Sequence, residues 1–358
     1  MIALLCLAAL AALELPALGP PPAIVGALRW DGWWAGNPWE RNLDPREWRS
    51  RLPFYARETA EGRVEVRSDR QEVMDREIAY ALRGGLAFWA FCYYHPSSWP
   101  EADRYNYGWR QFLASRRRGA LRYCFILQGG SHMGPRERWA ETARELAGHF
   151  RRREYQRAPA GRPLLFVFAT QYLEPHFGGA QEVRAAFDLL RAESRRAGAG
   201  NPYVVAQVFR AEDGVRAVER WGFDAIGAYS AHAHDEHREH TYADLVGANR
   251  WYRTSFAATG KPMVPTVNAG WDGRPRLRDP EWARHYRGAW YAQPTPEELA
   301  ANVREAVAWV RAHPAQAEAG AVLIYAWNET DEGGWLVPTH AEGPARLDAL
   351  RRALDAAR

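Results

Sequence analysis

The chain has 358 residues, 47% of them hydrophobic and 25% charged, so it carries material for a large core and lacks the composition of a disordered or fibrous protein. Its 47 Lys and Arg against 43 Asp and Glu leave a formal charge of +4, and Lys261 is the single lysine among the basic residues. Runs such as Arg116 to Arg118 and Arg151 to Arg153 fall near the ends of expected helices, where cations complement the helix dipole, and no interleaved basic and aromatic stripe of the kind that binds nucleic acid is found.

Residues 2 to 13 are apolar, and the stretch breaks at Glu14, Pro16 and the prolines 20 to 22. It is too short to span a bilayer and reads as an export signal over 1–19, with a secreted or periplasmic chain over 20–358; a misassigned start codon is the competing explanation. The intact mass of exported protein is expected to place the mature N-terminus between residues 17 and 24, and a retained Met1 in a cytoplasmic pool would end the export reading. Cys92 and Cys124 sit inside apolar strand-like runs, which predicts buried free thiols and no disulfide framework.

From there the chain alternates short apolar runs with longer amphipathic ones. The runs 24–30, 85–94, 121–128, 163–170, 202–209, 223–230, 262–268 and 321–327 predict eight strands. Helices are expected at 71–83, 105–118, 136–153, 180–197, 212–220, 240–258, 296–312 and 342–357. Thr295, Pro296, Glu297 and Glu298 form a helix start, with an N-cap, a proline at the first helical position and acids in the first turn. Eight strand–helix units, with no G-x-G-x-x-G after the first strand, favour one closed (β/α)8 TIM barrel over an open doubly wound sheet.

Active sites of such barrels lie at the C-terminal ends of the strands. The candidate substrate-binding residues there are Trp30, Asp31, Trp33 and Trp34 after the first run, then Tyr93, Tyr94 and His95 after the second. Gln128, Gln171, Gln207 and Tyr229 mark the next four, Asn268, Trp271, Asp272 and Arg276 the seventh, and Trp327 and Asn328 the eighth. Aromatic rings, amides and carboxylates suit a sugar, which offers C–H faces to rings and hydroxyls to polar groups. Phosphate-binding loops are missing. Glycosidic cleavage needs a proton donor and a base or nucleophile, and Glu329 and Glu332, three residues apart past the last run, supply a carboxylate pair. A solvated acidic loop, with Asp331 as a third member, is the bland alternative.

The segment from Tyr325 through Trp327, Asn328, Glu329 and Glu332 to Gly333, followed by Leu336, Val337 and Pro338, resembles the W-N-E-W-x-E-G…L-E-P signature of WbsX-like proteins, relatives of glycoside hydrolase family 99. Gln71 to Asp75, Phe91 to Tyr94, Gly270 to Asp272 and Pro275-Arg276 extend the resemblance over most of the chain. The pattern differs at Thr330-Asp331, where the family has an aromatic and a small residue, and at Val337, where it has an acid. The resemblance implies a retaining α-mannosidase barrel without cofactor, in which Glu329 deprotonates the sugar's own 2-hydroxyl and Glu332 is general acid and then base.

Three other readings compete. WbsX-like proteins are often described as glycosyltransferases, although neither a D-x-D with a diphosphate site nor a Rossmann-like sheet is evident. His232, His234, Asp235, His237 and His240 suggest a metal-dependent hydrolase, but they share one polar loop that reads as solvated or substrate-contacting, so no metal is expected. A silent sugar-binding barrel would keep the rim and idle the glutamates. The expected partner is an oligo- or polysaccharide, with no nucleic acid, no stable membrane span and a monomeric chain.

Overall fold

A computed structural model of the chain describes residues 23–232, 236–285 and 288–357. The segment read as an export signal lies outside these residues, as do His234 and Asp235. The parallel strands are β1 (Ile24–Arg29), β2 (Phe88–Tyr93), β3 (Arg122–Gln128), β4 (Leu164–Phe168), β5 (Tyr203–Gln207), β6 (Ala225–Gly227), β7 (Met263–Val264 and Thr266–Asn268) and β8 (Ala321–Tyr325). The long helices are α1 (Gln71–Arg83), α2 (Tyr107–Ala114), α3 (Trp139–Phe150), α4 (Ala180–Arg196), α5 (Ala211–Trp221), α6 (Tyr242–Ala257), α7 (Pro296–Ala312) and α8 (Ala345–Ala356).

The ring closes on both sides of β1, which sets Gly26 opposite Phe88 of β2 and Ile24 opposite Ala321 of β8. β7 changes partner midway: Met263 lies opposite Ile226 of β6, whereas Thr266 lies opposite Leu323 of β8. Pro265 between them has no N–H for the ladder, but its carbonyl still accepts from Leu323 N at 3.0 Å. Strands such as β2 are buried along their whole length because barrel strands pack on side chains inside and helices outside, which is why they are continuous apolar runs. The helices bury one stripe, in α1 Val73, Met74, Ile78 and Ala81. Thr295 caps α7 in a reciprocal box with Glu298.

All eight expected strands form, with trimmed ends. The run 223–230 yields only Ala225–Gly227, because the Ala228 carbonyl is taken by the Thr266 hydroxyl at 2.6 Å and the chain turns out of the ladder. The helix expected from residue 105 starts at Tyr107, since Asn106 is held outside it by a 2.7 Å bond from its amide to the Tyr94 carbonyl. An antiparallel hairpin, Ala56–Glu58 with Val64–Val66, lies between β1 and α1 and has no counterpart in the sequence reading. Cys92 and Cys124 are buried free thiols, as expected. No described helix is long and apolar enough to cross a membrane.

Candidate active site

Past β8 the chain makes a small structured turn. Asn328–Glu329 pairs antiparallel with Gly334–Trp335, and one 3-10 turn, Thr330–Glu332, joins them. Side chains three apart on such a turn eclipse, which sends Glu329 and Glu332 to the same side. Gly333 ends the turn at φ +80°, and a Cβ there would sit 2.4 Å from the Asp272 amide nitrogen, so only glycine fits. The turn is pinned from behind: Asp272 N donates to the Glu332 carbonyl at 2.6 Å. The Asn328 side chain takes Trp30 N at 3.0 Å and gives to Trp30 O at 2.6 Å, locking the end of β1 to the turn.

Arg276 organises the carboxylates. Its Nη2 donates to Glu329 at 3.0 Å, its Nε to Asp331 at 2.7 Å, and its Nη1 to Glu332. Asp331 receives a second Arg276 bond at 3.1 Å and the Asn42 amide at 2.9 Å, while Glu332 also accepts the Tyr325 hydroxyl. Among the described residues Glu329 accepts a single bond, from Arg276, so its charged form is less supported than that of Glu332. Burial pushes the Glu329 carboxyl up to about 7; Arg276 opposes the rise, and Asp331 and then Asp31 add to it. Burial raises Glu332 as well, against the pull of Arg276. The guanidinium is walled by indoles, with ring centroids 4.9 Å away for Trp39, 5.2 Å for Trp282 and 5.4 Å for Trp30.

Both glutamates open into a cavity of about 560 Å³ at the C-terminal mouth of the barrel. That size falls in the ~300–1,000 Å³ range of small-ligand sites. Its walls are largely aromatic. Phe168 stacks on Tyr229 at 4.0 Å, and His232 stacks on Trp271 at 3.7 Å with planes 12° apart. Burial lowers His232 to about 3, so the ring is neutral, with Nδ1 3.1 Å from the Ser230 hydroxyl. The Gln128 amide nitrogen and the Trp271 indole nitrogen have no hydrogen-bond partner among the described residues, and both residues line the cavity. Two buried donors at a site wall suit hydroxyl oxygens of a ligand.

Of the sequence candidates, Trp30, Tyr94, Gln128, Tyr229, Trp271, Arg276, Glu329 and Glu332 line this cavity. The others do not, and their contacts explain why. Trp33 is fully buried and donates to the Asn328 carbonyl at 2.9 Å; Trp34 packs on Tyr105. Asp31 pairs with buried Arg29 at 2.9 Å, and Arg29 holds Glu77, which takes the Trp327 indole N–H at 2.8 Å. Tyr93 turns outward to Glu145 of α3 at 3.1 Å. His95 accepts Ser97 N, and Gln171 is exposed. Gln207 and Asn268 are buried between strands, Asn268 taking Ala231 N at 2.7 Å. Asp272 is ion-paired with Arg51 and Arg274. Arg276 itself is engaged by carboxylates, a positioning group more than a free sugar contact.

Residues outside the sequence candidates also line the cavity: Trp39, Phe168, Phe209, Ser230 and Trp282, together with His232, from the loop expected to be solvated or substrate-contacting. Phe168 and Phe209 lie at or near the ends of the fourth and fifth apolar runs and are readable there; Trp39 and Trp282 come from short helical turns, Pro38–Leu43 and Pro280–His285, too short for periodicity to mark them. Asp331, which the alternative of a solvated acidic loop would expose, is fully buried. Among the described residues no group of three or more His, Cys, Asp or Glu side chains is placed to hold a metal ion.

Barrel and site define the class: a (β/α)8 protein with a paired-carboxylate, aromatic-walled mouth. Residues 106–350 match the family described as "Glycosyltransferase WbsX", and the chain belongs to that family. Its fold is similar to that of a "Glycoside hydrolase-like protein" at a TM-score of 0.60 and 14% identity, over 96% of this chain and 97% of that one. It is also similar to the GH99 endo-α-mannosidase from Bacteroides thetaiotaomicron, with a TM-score of 0.56 and 14% identity over 93% and 97% of the two chains. No curated protein sequence matches the chain.

Proposed function

We propose that this protein is a glycoside hydrolase that cleaves an α-linked, manno-configured glycan with retention, through the substrate's own 2-hydroxyl. The observation that carries this reading is the pair Glu329 and Glu332, side by side in one aromatic-walled cavity and bridged by Arg276. Glu329 takes the 2-hydroxyl proton as O2 attacks C1, and Glu332 protonates the departing oxygen. Water then opens the anhydro sugar with Glu332 as base, and Glu329 returns its proton to O2. Two inversions at C1 leave the configuration unchanged. The fold shared with an endo-α-mannosidase supports the choice of sugar.

The family's description favours a transferase, but among the described residues the one guanidinium lining the cavity, Arg276, is held by three carboxylates and is not free to take a nucleotide diphosphate. The pH profile tests the roles. Glu329 works as a base only when ionised, and burial holds it near 7. On the low-pH side kcat/KM is therefore expected to rise about tenfold per pH unit up to about pH 7, and to fall again only where Glu332 loses the proton it donates. A profile that lacks this rise and only falls through about pH 7 would make Glu329 the proton donor and exchange the two roles.

A further inference from the structure

Beside the catalytic cavity lies a second one of about 660 Å³, and Trp39 lines both. The indole between them is held by its N–H on the Tyr105 hydroxyl at 3.2 Å. Asn42, on the wall of the second cavity, donates to Asp331 at 2.9 Å, so this wall is tied directly to the catalytic turn. A glycan lying over Glu329 and Glu332 and running past Trp39 enters the second cavity with its neighbouring sugar.

The two cavities differ in charge. Arg41, Arg63 and Arg278 all line the second, and none is ion-paired among the described residues. The single side-chain bond among the three runs from Arg278 Nη1 to the Arg41 carbonyl at 3.1 Å. Two carboxylates share the wall, and both are engaged: Asp44 accepts Val64 N at 2.8 Å, and Asp279 accepts Trp282 N at 3.2 Å. The unengaged groups are thus guanidinium forks, whose planar paired donors fit carboxylate, sulfate or phosphate oxygens.

We propose that this second cavity is a subsite for an anionic sugar residue, first of all a uronate, next to the sugar that is cleaved, which makes the natural substrate an acidic polysaccharide. The proposal rests on the glycosidase reading for its orientation but not for its test. Titration calorimetry on the Glu329→Gln chain, which removes turnover, compares an α-linked oligogalacturonate with a neutral α-mannotetraose. The acidic probe is expected to bind roughly 10-fold tighter, the sum of several solvated charge contacts. Salt at about 0.5 M is expected to erase the difference, because the arginines are exposed to screening. Adding Arg41→Gln, Arg63→Gln and Arg278→Gln is expected to do the same, and the Arg41→Gln, Arg63→Gln pair alone leaves the Arg278 tether in place if the triple variant folds poorly.

Equal binding of the two probes, or an acidic preference that survives loss of the arginines, overturns the subsite. A sulfated dextran oligomer preferred through the same arginines assigns sulfate as the anion. Arginine-dependent binding in a wild-type chain that cleaves no glycan leaves the subsite standing and removes the hydrolase reading. Cleavage of neutral glycan without any acidic preference does the reverse.

Discussion

Changing either Glu329 or Glu332 to Gln is expected to lower kcat by about 100- to 10,000-fold, the usual cost of losing general acid or base help. Glutamine keeps the shape and can still accept from Arg276, whose bond to Glu329 is 3.0 Å, so both variants are expected to fold with little loss of Tm. The roles then separate by leaving group. With an α-mannosyl fluoride, departure needs little protonation, and Glu332→Gln should recover much of its rate. Glu329→Gln should stay inactive, because the 2-hydroxyl still lacks its base. A 2-deoxy substrate should not be turned over by the wild type, and NMR of the first-formed product should show retained anomeric configuration. Inversion, or brisk cleavage of the 2-deoxy sugar, sinks the 2-hydroxyl route while leaving a Glu/Glu glycosidase possible. Unchanged kcat in both variants would move the chemistry off this pair, and a wild-type chain that binds glycan without turnover would be a sugar-binding barrel.

The barrel was legible because its strands are buried on both faces and so read as continuous apolar runs, while the capped, amphipathic helices between them follow the other period. The site was legible in part. A strand end identifies the mouth, but successive side chains there point to opposite faces. Tyr93 and Tyr94 show the consequence: the first reaches out to Glu145, the second faces the cavity. Composition alone gives both the same standing. The same holds at the end of β8, where Trp327 and Asn328 serve as props, Trp327 on Glu77 and Asn328 on Trp30, and Glu329 carries the chemistry. Partners distant in sequence were hidden altogether. Nothing local to Asp331 says that Asn42 and Arg276 hold it, and nothing near His232 says that Trp271 stacks on it at 3.7 Å or that burial keeps the ring neutral.

Arg276 opposes the upward shift of Glu329 and Glu332, and replacing it is expected to move the pH profile as well as the stability. In the wild type one guanidinium faces Glu329, Asp331 and Glu332, all buried, and it is the main influence that holds the Glu329 carboxyl down against burial. The other groups that act on Glu329 are anionic or neutral at working pH: Asp331 and Asp31 push its pKa upward, and Tyr94, Tyr229 and Cys92, each buried nearby, offer no positive charge. In Arg276→Met three carboxylates lose their counter-ion, a change that costs about 3–5 kcal/mol for a buried pair unless protons make up the charge. Protons are expected to do so, and the low-pH limb of kcat/KM should move above pH 7 by a unit or more. Each unit lowers activity at pH 7 about tenfold, because a base that is protonated cannot take the 2-hydroxyl proton. Arg276→Lys restores one charge without the fork, so it should bond one or two of the three acids and place the limb between wild type and Arg276→Met. Loss of Tm with the limb unmoved in both variants would make Arg276 a packing residue among Trp30, Trp39 and Trp282 and nothing more.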